Sequence, residues 1–223
     1  AVNNICLDRF GNIYILESTR VRKIDIKTGK IATYAGGGGS PALDIPATQA
    51  SLINPRSIVT DSKGNLFISE PTRIKKVDVS TGIISLVAGS GNTGNTGDGS
   101  LAINASFGFI TAISIDKFDN IYLCDNNNSV IRKINHQSNI ISRVAGSGVS
   151  GDTGDGGSAL NARLQTPVYM TVDSEGNIYV STTNRIRKIS ISSGIISTML
   201  GSNSLLNAQH IIVSNKGNLH VSD

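Results

Sequence analysis

The stretch Asp173–Lys188, DSEGNIYVSTTNRIRK, decides the fold, because it is written three more times upstream: DRFGNIYILESTRVRK at Asp8–Lys23, DSKGNLFISEPTRIKK at Asp61–Lys76 and DKFDNIYLCDNNNSVIRK at Asp116–Lys133. A further copy opens at Ser214 as SNKGNLHVSD and stops at Asp223. Self-similarity at a fixed period is the mark of a repeat architecture in which each unit buries its apolar surface against its neighbours. The 223 residues therefore read as one continuous array.

Each copy divides into four short strands. The first carries Ile5-Cys6-Leu7, Ile58-Val59, Ile113-Ser114-Ile115, Met170-Thr171-Val172 and Ile211-Ile212-Val213, and ends in an Asp-x-x-Gly-Asn turn. Asp at the first turn position and Gly at the fourth suit a type I turn followed by a left-handed residue, which closes a three-residue hairpin. Asp119 stands in for that Gly in the third copy, an exchange that aspartate tolerates. The second strand, as in Asn12–Leu16, is apolar at nearly every position, which predicts burial on both faces. The third carries a basic pair in each copy: Arg22-Lys23, Lys75-Lys76, Arg132-Lys133 and Arg187-Lys188. After a second turn, such as Lys27-Thr28-Gly29, comes a fourth strand closed by glycine. No helical-period segment of useful length interrupts the pattern, so a helical solenoid is excluded and a radial array of four-stranded antiparallel sheets is expected.

The first three complete copies are followed by long connectors, Gly36–Pro55, Gly89–Phe109 and Gly146–Pro167. They share Ala47-x-x-Ala50-x-Leu52, Ala102-x-x-Ala105-x-Phe107 and Ala159-x-x-Ala162-x-Leu164. Three-residue spacing of alanines predicts one helical turn lying on a blade edge. Two connectors also carry Gly-Asp-Gly, at Gly97-Asp98-Gly99 and Gly154-Asp155-Gly156. These segments lack the ligand spacing of a calcium loop and the Lys-Ser/Thr of a phosphate loop, so they read as turn chemistry.

With the Asp-x-x-Gly-Asn-Ile-Tyr turn, the (Ile/Val)-(Arg/Lys)-Lys strand and the Gly-Asp-Gly…Ala…Ala-x-Leu…Pro connector in hand, the chain resembles NHL-repeat proteins, in the branch whose blades are joined by long glycine-rich connectors. The resemblance covers essentially every residue. It implies an all-β propeller, commonly of six blades, that serves as a platform for protein and sometimes RNA ligands. The sequence supplies four complete blades, at about 1–36, 56–89, 110–146 and 168–201, and half of a fifth at 208–223, so a fragment of a six-bladed ring is expected.

Composition narrows the function. The net charge of +4 and isoelectric point near 9.1 permit an acidic partner without demanding one. There is no Trp and aromatic content is 4%, so base-stacking platforms are poorly supplied. No apolar run reaches the ~20 residues of a membrane-spanning helix. Cys6 and Cys124 lie in apolar runs and read as core thiols; the compartment stays open, and an extracellular domain of a longer protein is one option. The sequons Asn104-Ala105-Ser106 and Asn127-Asn128-Ser129 would matter only in a secreted protein.

Alternating strand direction places the loops between second and third strands, together with all the long connectors, on one face. Rigidly held loops are where function concentrates, so the candidate partner-binding rim is Glu17, Arg20, Glu70, Arg73, Asp98, Asp125, Asn127, Asp155 and Asn184. The expected function is a non-catalytic binding or scaffold module for a protein or peptide, with no catalytic residue, cofactor or metal. One alternative is an RNA-binding propeller using the basic third strands. Another is a fragment of a metal-dependent propeller lyase or hydrolase, for which His136, His210 and His220 are too scattered in the repeat to make a site.

Overall fold

The computed structural model describes residues 2–183, 185–201, 210–214 and 217–222. The first blade is β1 (Val2–Leu7), β2 (Ile13–Glu17), β3 (Arg20–Ile24) and β4 (Ile31–Gly36). A short β5 (Ile45–Pro46) precedes the second blade, β6 (Ser57–Thr60), β7 (Leu66–Glu70), β8 (Arg73–Val77) and β9 (Ile83–Ala88). The third blade is β10 (Ile110–Ile115), β11 (Ile121–Asp125), β12 (Val130–Ile134) and β13 (Ile141–Ala145). The fourth is β14 (Tyr169–Val172), β15 (Ile178–Ser181), β16 (Ile186–Ile189) and β17 (Ile196–Leu200), followed by a hairpin of β18 (His210–Val213) and β19 (Leu219–Ser222). Each blade is an antiparallel meander in sequence order, and β5 adds a fifth strand outside β9. The first strands pack against one another, β1 on β6, β6 on β10, β10 on β14 and β14 on β18, so they line the hub.

The repeated turn explains why every blade starts alike. In the first blade Asp8 Oδ1 accepts from the backbone N–H groups of Phe10 and Asn12, while Oδ2 accepts from Asn12 Nδ2 at 2.8 Å. Asp61, Asp116 and Asp173 do the same. The asparagine then reaches across to the second turn: its Oδ1 accepts from Ile26, Val79, His136 and Ile191 N–H. The glycine of the turn has φ of +84° at Gly11 and +94° at Gly64, and Asp119 takes φ +63° in its place. Asp119 also accepts from Ser62 N and Oγ, tying the second blade's turn to the third's.

The second strands of the second, third and fourth blades are buried at every position, as their unbroken apolar sequence predicts. In β2 burial alternates instead, because one face of the first blade meets no other blade among the described residues. Ile5 there is 56% exposed, whereas its equivalents Ile58 and Ile113 are 1% and 3% exposed.

Each connector contributes a single 3-10 turn, Ala47–Gln49, Ala102–Asn104 or Ala159–Asn161. The alanines and the following Leu52, Phe107 or Leu164 are buried with residues of the blades on either side. Radial blades diverge outward, and this turn fills the gap.

The Asp–Asn turn generates two predictions. Asn120→Ala removes the side chain that joins both turns of the third blade, and should lower unfolding stability by about 2 kcal/mol in urea denaturation. Burial raises the carboxyl pKa of Asp8 and Asp173, but the hydrogen bonds outweigh it and hold both below the usual range. The Ser80 hydroxyl and the Thr81 and Ser80 N–H groups bring Asp78 to about 2. Depressed carboxylates stabilise the fold above the unfolded value of about 3.9 and lose that contribution as pH falls through the folded values. The denaturant midpoint should therefore fall between about pH 5 and pH 2, with a shallower slope in Asp173→Asn.

Candidate functional site

The connectors leave the blades on the loop face but do not stay there. Each runs down the outer edge of the next blade as a strap, until Ala47, Ala102 and Ala159 donate their N–H groups to Gly82, Asn139 and Gly194 O in the turns at the far end. On the way the strap bonds to an isoleucine at the start of the edge strand: Asp44 N to Ile84 O, Gly99 N to Ile141 O and Gly156 N to Ile196 O.

The third-strand arginines hold the straps in place. Arg132, fully buried, donates from Nε to Asp98 Oδ1 at 3.0 Å, from Nη1 to Ser106 O at 3.0 Å and from Nη2 to Thr96 O at 2.9 Å. Arg187, equally buried, donates from Nη2 to Asp155 Oδ1 at 2.6 Å and from Nη1 to Arg163 O at 2.9 Å, while Thr198 Oγ1 donates to Asp155 Oδ2 at 2.6 Å. The Gly-Asp-Gly motif is thus the counter-ion of a buried guanidinium. Its glycines allow the approach: φ is +101° at both Gly97 and Gly154, and a Cβ there would lie 2.7 Å from Ala105 or Ala162 Cα. The strap before the second blade lacks the motif, and there Lys75 takes the arginine's place. Its Nζ donates to Glu70 Oε1 at 2.8 Å and to Ser51 O at 3.2 Å. The second member of each basic pair faces the other side: Lys23, Lys133 and Lys188 lie over the rings of Tyr14, Tyr122 and Tyr179.

All the described rim residues but Arg73 fall into three groups. Glu17 and Arg20 form an accessible ion pair with each other, and Asn127 is exposed beside Gly108 O. Asp98 and Asp155 are about two-fifths exposed, at 41% and 39%, but are held by the buried arginines. Glu70 and Asp125 are buried: Glu70 also accepts from Ile53 N, and Asp125 accepts from Gly108 N, Phe109 N and Asn128 Nδ2. Burial pushes the Asp125 carboxyl up, against the pull of those donors and of Arg132. Arg73 lies over Gly91 with its Nε buried and without a hydrogen-bond partner. Asn184 lies outside the described residues.

Sequence reasoning passed over Arg185 and Asp152, which pair at 2.5 Å on the same face. Their alignment with Arg20 and Asn95 was the available signal. It also passed over Phe10 and Phe118 on the opposite face, 54% and 67% exposed under the stacked cations of Arg9 and Lys117. At the hub, Asn4, Ser57, Thr171 and His210 help to line a cavity of about 440 Å³, and the His210 ring lies 4.4 Å from that of Tyr169. Among the described residues no three His, Cys, Asp or Glu side chains come together as a metal-ion donor set. None of the described helices is long and apolar enough to cross a membrane.

Blades of this topology, with an Asp–Asn turn and a strap between neighbours, define an NHL-type β-propeller. The Teneurin NHL domain model matches residues 44–153 and 147–223, and the chain belongs to that family. It is 30% identical over 209 residues to mouse Teneurin-4, covering 85% of this chain and 8% of that protein. Against mouse Teneurin-3 identity is 42% over 69 residues, 31% of this chain and 2% of that one. The chain therefore spans under a tenth of the length of these relatives. Among solved structures, a catalytically inactive virginiamycin B lyase from Staphylococcus aureus with quinupristin aligns with TM-score 0.64 and 18% identity over 99% of this chain and 62% of that one. An auxiliary nutrient binding protein from Bacteroides ovatus aligns with TM-score 0.69 and 11% identity over 99% and 56%. At such identities these two show the shared fold alone.

Removing the carboxylate of Asp155 leaves Arg187 buried with backbone carbonyls and only the more distant Asp152 carboxylate, 3.9 Å from Nη1. Asp155→Ala should cost about 3 kcal/mol in chemical denaturation, whereas Glu17→Ala, which breaks a solvent-accessible pair, should leave the denaturation midpoint nearly unchanged.

Proposed function

We propose that this domain is a non-catalytic binding module that presents its loop face to a protein or peptide partner. The observation that carries the reading is the contrast between the two faces. On the turn face the hairpins are closed by Asp–Asn networks and present short, fixed loops. On the loop face the ends of β2 and β3 present the accessible pair Glu17 and Arg20, one of each sign, and the short turn after β11 presents the exposed Asn127, all on a rigidly packed scaffold. Mixed charge on a stiff scaffold suits a protein surface, which is itself mixed, better than a polyanion.

The alternatives draw less support. Lys75, Arg132 and Arg187, the inward members of three of the four basic pairs, are buried, and three of the four lysines beside the inward members lie over tyrosine rings, so the third strands offer little open track for phosphates. Burial, and then Asp8, pushes the Cys6 thiol up to about 12, and burial with Asp125 pushes Cys124 up as well; neither is a thiolate nucleophile at neutral pH. Membership of the Teneurin NHL domain family agrees with a binding role.

Panning a phage-displayed random peptide library on the immobilised domain should enrich peptides whose affinity drops by about tenfold or more in a Glu17→Arg, Arg20→Glu, Asn127→Ala triple variant. Peptides indifferent to the triple variant, together with oligouridylate RNA binding that weakens steeply with salt, would replace this reading with the RNA one.

A further inference from the structure

A cavity of about 460 Å³ lies between the second and third blades, each of which has a neighbouring blade on both sides. The buried Phe67, Ile121 and Ile134 give it an apolar wall, while Asp61, Lys76 and His136 supply polar atoms. The other blades show what this space lacks. In the first, third and fourth, a second-strand tyrosine donates its hydroxyl to Oδ2 of the turn aspartate: Tyr14 to Asp8 at 3.3 Å, Tyr122 to Asp116 at 3.1 Å and Tyr179 to Asp173 at 3.2 Å. The second blade has Phe67 at that register, facing Lys76 as Tyr14 faces Lys23. Asp61 Oδ2 therefore accepts from Asn65 Nδ2 at 2.7 Å and, among the described residues, from nothing else. The first blade also carries a second ring. Tyr34, in the bulge of β4, packs edge-on against Tyr14 with centroids 5.0 Å apart, and Lys23 Nζ lies 5.4 Å from both rings. Its counterpart in the bulge of β9 is Val87, and Lys76 Nζ pairs only loosely with Asp78 Oδ2, at 3.9 Å. The third blade shares the valine, as Val144, but keeps Tyr122 on Asp116 beneath Lys133. Among the described blades the second alone has neither the hydroxyl nor the second ring.

From this comparison we infer that the cavity between the second and third blades is a binding site for a small phenolic compound. The ligand ring sits edge-on to Phe67 beneath Lys76, in the volume that Tyr34 fills in the first blade and Val87 leaves open in the second. Its hydroxyl donates to Asp61 Oδ2 in place of the one that Phe67 lacks. The size suits a ligand of one or two rings, and an apolar wall with a few polar groups is the usual lining of such sites. An aromatic neighbour and an ammonium over the ring favour an arene over an aliphatic ligand. Asp61 is 5% exposed, so its carboxylate oxygen is poorly served by solvent and favours a hydroxyl donor over an ether. A tyrosine side chain carries the same group, but the gap between packed blades favours a free phenol over a residue with chain on both sides. The site is separate from Glu17, Arg20 and Asn127, and stands or falls independently of the loop face.

The probe is para-cresol, titrated into the isotope-labelled 223-residue domain and followed by amide chemical shifts. Saturable binding with a Kd of about 1 mM or tighter is expected, with the shifts centred on Phe67, Val87 and Ile121. Para-methylanisole, which keeps the ring and loses the donor, should bind about fivefold or more weakly. Val87→Tyr installs the first blade's second ring and should abolish binding while raising the thermal midpoint. Phe67→Tyr returns a hydroxyl to Asp61 with little change of shape, and should weaken binding about fivefold even if Val87→Tyr fails to fold. A Gly-Gly-Tyr-Gly-Gly peptide should bind about tenfold or more weakly than the cresol. The inference is overturned by absence of saturable binding, by shifts centred outside the cavity, by equal affinity for cresol and methylanisole, or by unchanged affinity in Phe67→Tyr. It is also overturned if the peptide binds as tightly as the cresol, since a tyrosine of a partner chain would then be the occupant.

Discussion

A guanidinium taken wholly out of water must find an acceptor for each donor it cannot hydrate, and a charge to balance its own. Arg132 and Arg187 meet both demands with one strap, using its aspartate for charge and its carbonyls for the remaining N–H groups. Much else in the molecule follows. The strap must pass close to the outer sheet edge, so it carries glycine where a Cβ would strike backbone, and alanine where two blades nearly touch. Because it bonds to the edge strand, it also covers N–H and C=O groups that would otherwise invite pairing with other chains.

The clamp and the hairpin network divide the work of holding a radial array together. The Asp–Asn pair fixes each blade internally, joining its first turn to its second. The strap fixes each blade to its neighbour, because it leaves one blade, wedges its alanines between two, and ends hydrogen-bonded to the next. Repeat arrays draw their stability from such nearest-neighbour interfaces. The proposed binding surface draws on positions that neither device uses. On the loop face these are the ends of the first blade's second and third strands, the exposed asparagine of the third blade, and the pair formed by Arg185 and Asp152.

The period of the Asp-x-x-Gly-Asn turn, the apolar middle strand and the glycine-closed fourth strand determined the all-β blade unaided, because local turn chemistry and burial on both faces are both written in neighbouring residues. The alanine spacing likewise announced a helical turn in each connector. What the sequence could not separate was solvated charge from buried charge. Glu70, Asp98, Asp125 and Asp155 look alike as loop residues, yet Glu70 and Asp125 are buried while Asp98 and Asp155 stay half exposed in the grip of arginine. For the two connector aspartates the answer depends on where a third strand some 30 residues further on places its arginine: Asp98 and Arg132 are 34 positions apart, Asp155 and Arg187 are 32. Only the packing of one blade on the next brings such distant side chains within hydrogen-bond range, and so only tertiary structure decided that the acidic connectors are ligands of the fold.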